Sequence, residues 1–210
     1  MSLSIVITDS EKTITNNIND ALSKLLNDTI KQQQNKLVDE VKLLIPNWIN
    51  QQPEIISLQS VDSSSLAGLF GINQSIDSII NKIISSVVDS TTVKFVPYNN
   101  KFRGGLEINI QTNDFNNLLG LPEGHTIYKG GDLHWMDWLL LRGDSIIISN
   151  YQYNPSTGLG RSGLGTMISG GSFRVPPQFA GTKDNNFITR ALIGSNQEQQ
   201  ISNIFSKILG

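Results

Sequence analysis

The chain has 210 residues and a mass of 23.1 kDa, which is enough for one domain with a buried core. Charged residues make up 16% of it, below the roughly 25% of a typical soluble domain. The net charge of -2 gives no global cationic field to hold nucleic acid or an anionic membrane. The absence of cysteine excludes disulfides, thiolate metal sites and thiol catalysis. We expect no signal peptide and no membrane-spanning helix, because the start lacks a basic segment and no apolar run reaches about 18 residues.

The composition changes near residue 91. Residues 1–90 hold two of the 18 glycines and no arginine, whereas the remainder holds 16 glycines and all five arginines. We therefore predict a helical region over 1–90 that packs on the core, an α+β core over 91–195, and a C-terminal helix over 196–210. The predicted fold class is α+β, with long N-terminal helices, a small and mostly antiparallel sheet, and C-terminal helices.

The first helix is predicted to begin at the capping sequence of residues 8–11 and to run towards Leu44. Its apolar residues recur at helical spacing: Ile14, Ile18, Leu22, Leu25, Leu37, Val41 and Leu44. The stripe weakens at residues 32–34, three glutamines. This interruption indicates that the helix projects beyond its own core there, or that a neighbouring copy covers it.

Two prolines then predict a break. Pro46 and Pro53 delimit a short segment that contains Trp48, and a short apolar segment covers 66–71. A second amphipathic helix is predicted from its apolar positions: Ile76, Ile79, Ile80, Ile83, Ile84, Val87 and Val88.

The second half alternates with period two from Thr91 onwards, which predicts strands. We expect a hairpin from 93–96 and 106–110, a third strand over 126–129 and a fourth over 145–151. These strands should form the small antiparallel sheet.

Helices and a loop complete the core. A helix is predicted from Asp132, as its N-cap, to Arg142, ended by Gly143. Six glycines between Gly158 and Gly171 predict a mobile loop over 154–173. A short helix should follow over 184–192, and a last amphipathic helix should carry Ile201, Ile204, Phe205 and Ile208.

The glycines Gly158, Gly160 and Gly163 match the dinucleotide-binding pattern G-x-G-x-x-G, with Asp184 at a suitable distance. The context is wrong, because turn-forming residues separate them from the preceding strand and later glycines oppose the helix that should follow. We therefore expect a flexible loop and no cofactor.

Imidazole and carboxylate groups occur together only at His125, Asp132, His134 and Asp137. Such groups can ligate a metal or act as a general base. The spacing favours structural roles, with Asp132 as a helix cap and His125 in a turn, so we expect no metal site and no catalytic residue. The alternative is a small enzyme or ligand-binding protein, which requires these four side chains to converge.

The segment 135–141 is apolar almost all round a helix. Such a helix must be buried, either in the fold or against another copy.

The order of these elements resembles a known family. Trp48 begins the pattern Trp-x4-Pro-Glu-Ile-x-Ser-Leu, and the apolar stretch 66–72 follows it. Later come the aromatic helix with its glycine end, a strand, the glycine-rich loop, the Arg-Val-Pro-Pro-Gln-Phe stretch of 174–179, and the closing segment 186–192. Over roughly residues 40 to 195 this succession resembles the neck and tail-completion (head-to-tail joining) proteins of tailed bacteriophages.

The resemblance implies a structural virion protein, not an enzyme. Each copy would join a homo-oligomeric ring, a connector between the portal side of the head and the tail. It would contact a portal-side adaptor and tail-tube or terminator proteins, its lumen could let DNA pass passively, and it would assemble in the host cytoplasm. The residues we expect at subunit or partner contacts are Arg142, Gly158, Gly160, Arg161, Gly163, Gly165, Arg174 and Phe179.

Overall fold

A computed structural model of the chain describes residues 9–111, 114–128, 130–158 and 160–209. Over these residues the fold is α+β, with a long N-terminal helix, three β-hairpins and C-terminal helices, as the sequence predicts. The helices are α1 (Glu11–Asn50), α2 (Pro53–Gln59), α3 (Leu66–Phe70), α4 (Ile76–Ser90), α5 (Asn116–Leu119), α6 (Trp135–Leu140), α7 (Phe187–Leu192) and α8 (Ser195–Leu209). The strands are β1 (Thr92–Val96), β2 (Gly105–Asn109), β3 (Thr126–Tyr128), β4 (Gly131–Leu133), β5 (Ile148–Asn154) and β6 (Thr166–Phe173).

Helix α1 begins where its capping sequence predicts, because the Ser10 hydroxyl accepts the backbone N–H of Thr13. The predicted break at Pro46 is wrong, since the helix continues through this residue to Asn50. A proline inside a helix removes one backbone hydrogen bond and costs about 3 kcal/mol. The complete burial of neighbouring apolar side chains, such as Ile45, offsets that cost.

Helices α4 and α8 lie where the apolar periodicity predicts them. Ser75 caps α4 by accepting the N–H of Ser78, and one face of α4 is buried. Helix α3 ends at Gly71, whose φ of 64° is a left-handed conformation that favours glycine.

One hydrophobic core joins the two halves of the sequence. It contains residues from the C-terminal part of α1, from α2, α3 and α4, and from the later helices α5, α6 and α7. The rings of Phe70 and Trp135 stack with their centroids 5.5 Å apart. Helix α6 is thus buried inside the fold rather than against another copy, which was one of the two expected outcomes.

The predicted start of α6 at Asp132 is wrong, because the helix begins at Trp135 and Asp132 lies in strand β4. The paired glycines before Asp132 form the end of a hairpin, so the residues after them continue as a strand.

The strands form three separate two-stranded sheets rather than the single small sheet we expected. All three pairs, β1–β2, β3–β4 and β5–β6, are antiparallel. Helices and turns separate the hairpins along the chain, and the β1–β2 hairpin packs against α1.

The predicted mobile loop is in part a strand. Residues 166–173 form β6 and pair with β5 along almost their whole length. Gly170 and Gly171 form a bulge in β6, because these two residues lie opposite the single residue Asn150 of β5. The irregular segment is therefore confined to the residues between Asn154 and Thr166.

The C-terminal segment folds back onto α1. Helix α7 starts at Phe187, three residues later than predicted, because the Asn186 side chain caps it by accepting the N–H of Thr189. Helix α8 packs along α1, and the Trp48 indole donates a hydrogen bond of 2.8 Å to Gln200.

Among the described residues, no helix is both long and apolar enough to cross a bilayer.

Candidate functional site

The first third of α1 carries apolar side chains that no part of the described chain covers. Ile18, Leu22 and Leu25 follow one another at four and three residues and therefore lie on one face of the helix. They are 54%, 45% and 63% exposed. We call these three residues the apolar stripe. A contiguous apolar surface of this kind marks a contact with another molecule more often than a solvated face.

The glutamine-rich middle of α1 has a different partner from the one we expected. It is the β1–β2 hairpin that covers it, because the Gln34 side chain donates to the Val93 carbonyl at 3.3 Å. Nearer the N-terminus, the Asn27 amide both donates to the Tyr98 carbonyl at 3.0 Å and accepts the Tyr98 N–H at 2.7 Å. Polar residues on this face of α1 thus hold the hairpin in place. The apolar stripe remains open on the adjoining surface.

The glycines of the irregular segment are explained by close packing at some positions and by a left-handed backbone at others. A Cβ atom at Gly160 would lie 2.0 Å from the Gly165 carbonyl oxygen, and one at Gly165 would lie 2.3 Å from the Asn154 oxygen. Gly158 and Gly163 have φ values of 66° and 76°, in the left-handed region. Four of the predicted contact residues therefore shape a compact turn.

Arg161, one of the predicted contact residues, is exposed and also makes a contact within the chain. Its guanidinium donates to the backbone carbonyl of Ile127 in β3, so it joins the glycine-rich turn to the β3–β4 hairpin.

The other predicted contact residues differ in their exposure and in the contacts that they already make within the chain. Arg142 pairs with Asp137 at 3.2 Å and lies over the Trp138 ring, 5.0 Å from its centroid, yet its side chain is 57% exposed. Arg174 is exposed, and no carboxylate in the described part of the chain forms an ion pair with it. Phe179 is half-buried against the core. Arg174 and the outer face of Arg142 are thus open to a partner.

Three of the four imidazole and carboxylate residues converge. His125 Nδ1 lies 3.1 Å from Asp132 Oδ2, and His134 Nε2 lies 3.3 Å from the same oxygen. The two imidazole rings have centroids 3.7 Å apart. We call these residues the His–Asp cluster.

The β3–β4 hairpin assembles the His–Asp cluster. Thr126 pairs with Leu133, so the register extended by one residue places His125 opposite His134. Asp132 lies two residues before His134 and therefore on the same face of the hairpin. Our expectation of no metal site assumed that Asp132 caps a helix, and this assumption is wrong, because Asp132 lies in strand β4. Asp137 lies outside the cluster, because it pairs with Arg142.

Comparison with protein-family models, with curated proteins and with solved structures finds no match for this chain.

Proposed function

We propose that the protein is a structural virion protein of a tailed phage, a neck or tail-completion ring component that joins the portal side of the head to the tail. The observation that carries the proposal is the uncovered apolar stripe on α1. The order of elements along the sequence, which resembles that family, supplies the class of assembly.

The stripe suits a contact between copies. Its spacing of four and three residues is the seam that a second helix covers in helix–helix packing. The described part of the chain leaves it largely open, whereas one face of the C-terminal half of α1 is buried in the core. In a closed ring, one surface of each copy meets a different surface of the next copy. The stripe on one copy would therefore pack against another element of its neighbour.

The open arginines support a second contact. Arg174 lies next to the end of β6, and Arg142 lies after α6, so both belong to the half of the chain remote in sequence from the stripe. Arginine forms forked hydrogen bonds with carboxylates, which suits a polar contact with an adaptor or a tail protein. Such a subunit would have copies of itself, a portal-side adaptor and tail-tube or terminator proteins as partners. It would assemble in the host cytoplasm, and DNA would pass its lumen passively.

The first test is the oligomeric state of the purified chain. In analytical ultracentrifugation and negative-stain microscopy, we expect the wild-type chain to form closed rings. Leu22→Asp and Leu25→Asp should shift the protein to monomers, because each buries a charge in the proposed contact. Leu43→Asp is the matched control, since Leu43 is on the same helix, is 71% exposed and lies outside the stripe.

The second test concerns the phage particle. In infected cells that supply only the Leu22→Asp chain, filled heads and tails should accumulate unjoined, whereas the Leu43→Asp chain should give complete particles. A wild-type chain that is monomeric at all concentrations and missing from purified particles would overturn the proposal.

A second candidate function is ligand binding at the His–Asp cluster. The observation that favours it is the convergence of three of the four residues that the sequence singles out for this alternative. It does not compete with a role in assembly, because the cluster lies on the β3–β4 hairpin and the stripe on α1.

A further inference from the structure

The His–Asp cluster has the composition of a transition-metal site. It offers two imidazole nitrogens and one carboxylate oxygen, and these three ligand atoms all lie within 4.8 Å of one another. Nitrogen-rich sets of this kind suit Zn²⁺ and neighbouring divalent ions, whereas Mg²⁺ and Ca²⁺ favour sets made only of oxygen.

The distances agree with coordination. Metal–ligand bonds of about 2.0–2.1 Å in tetrahedral geometry separate neighbouring ligand atoms by about 3.3 Å. The two separations from Asp132 Oδ2 are 3.1 Å to His125 Nδ1 and 3.3 Å to His134 Nε2. Two of the three separations between ligand atoms are thus close to those around a bound ion, and the third is at most 4.8 Å.

The backbone around the cluster is held in place. The β3–β4 pairing fixes the positions of the three ligands relative to one another. The Arg161 guanidinium holds the middle of β3 from the side by its bond to the Ile127 carbonyl. A preorganised set of ligands loses less entropy when it binds an ion.

One side of the cluster is open. The side chains of Asp132 and His134 are 41% and 48% exposed, so an ion would keep a coordination position for water or for a further ligand. On the other side, His125 borders a cavity of about 150 Å³ that Asn73 and Gln74 also line. Their amide groups are suited to hydrogen-bond a molecule in that position.

We propose that His125, Asp132 and His134 bind one divalent transition-metal ion of the zinc type, with a fourth coordination position open to solvent. This proposal does not depend on ring formation, and its test does not use particle assembly or oligomeric state as the readout.

The test is metal binding to the tag-free full chain after treatment with a chelator. Isothermal titration with Zn²⁺ should give one ion per chain. Co²⁺ should give the visible absorption bands of a four- or five-coordinate ion. The sequence has two histidines and no cysteine, so the imidazole NMR signals report on this site alone. Both sets of signals should shift together on addition of Zn²⁺.

Variants distinguish the three proposed ligands from nearby groups that do not bind the ion. His134→Gln and Asp132→Asn should each weaken Zn²⁺ binding by at least about tenfold, because each removes a direct ligand. Asp137→Asn is the matched control, a nearby carboxylate outside the cluster, and should bind Zn²⁺ as the wild type does. The proposal is wrong if the wild type does not bind Zn²⁺, or if His134→Gln binds Zn²⁺ as tightly as the wild type does. Either result would mean that the two histidines serve only as hydrogen-bond donors to Asp132.

Discussion

At the scale of single residues, Tyr153 links the glycine-rich turn to the helical half of the molecule. Its hydroxyl donates to the Ser63 carbonyl at 2.6 Å and accepts the Gly165 N–H at 3.0 Å. Burial raises the pKa of Tyr153 above its ordinary value of 10.0, and the hydrogen bond from Gly165 acts in the opposite direction.

Replacing Tyr153 with Phe should lower the free energy of unfolding by about 1–2 kcal/mol, because two hydrogen bonds are lost. The folded chain holds the phenol proton more tightly than the unfolded chain does. The contribution of Tyr153 to the stability of the wild type should therefore be fully present below pH 10 and should fall as the pH rises beyond it. Urea unfolding at a series of pH values should show a shallower alkaline fall in Tyr153→Phe.

Tyr151→Phe is the control for this experiment, since Tyr151 lies on the same strand and is 47% exposed. It should leave both the stability and its alkaline dependence close to those of the wild type. An alkaline fall that is as steep in Tyr153→Phe as in the wild type would show that another group causes it.

At the scale of the elements, the β1–β2 hairpin depends on α1. A two-stranded hairpin is marginally stable alone in water, so its contacts with α1 must contribute to its order. Asn27 provides two of these contacts, both to the backbone of Tyr98.

Asn27→Ala should open the hairpin locally, because it leaves the N–H and the carbonyl of Tyr98 without their partner at a cost of about 1–3 kcal/mol. Hydrogen exchange followed by mass spectrometry should show faster exchange over residues 92–109, with α4 and α6 unaffected. Asn35→Ala is the matched control, since Asn35 is an exposed residue on the same helix. Unchanged protection of the hairpin in Asn27→Ala would show that apolar packing alone holds it.

At the scale of the whole molecule, one ion pair joins α2 to α7. Glu54 is 1% exposed, and its carboxylate accepts from the Arg190 guanidinium. Arg190 also donates to the Asn185 side chain at 2.9 Å. The pair connects segments that lie 136 residues apart. It therefore stabilises the packing of the C-terminal segment against the helical half.

Arg190→Met should lower the global free energy of unfolding by about 3 kcal/mol, because it leaves a buried carboxylate without its cation. Arg174→Met, an exposed arginine, should change it by less than about 0.5 kcal/mol. Adding Glu54→Gln to Arg190→Met should recover part of the loss, since the unpaired charge is then removed. Chemical denaturation measures all three, and a double variant as unstable as Arg190→Met would show that the charge is not the cause.

The structure also changes what a deletion can test. If residues 154–173 were only a mobile loop, as the sequence predicts, removing residues 158–171 would leave a folded monomer. The deletion would remove most of β6 and the Gly165 N–H that Tyr153 binds. Single substitutions at the apolar stripe and at Arg174 are therefore the sharper probes of assembly.

The sequence by itself determined the features that depend on near neighbours. The cap at Ser10 and the periodicity of α4 predicted those helices, since capping and amphipathic spacing act within a few residues. Alternation predicted the strands of the first hairpin, and the apolar character of 135–141 predicted a buried helix. The class α+β follows from these local signals.

Tertiary structure decided the features that depend on distant partners. Burial of Ile45 keeps α1 intact through Pro46, and the β1–β2 hairpin covers the polar middle of α1. The His–Asp cluster exists because strand pairing, and not helical periodicity, sets the positions of its three residues. The glycine pair at 130–131 was the local sign of that hairpin, but a turn signal does not specify register. Register is selected by pairing along both strands and by packing, which no short stretch of sequence contains.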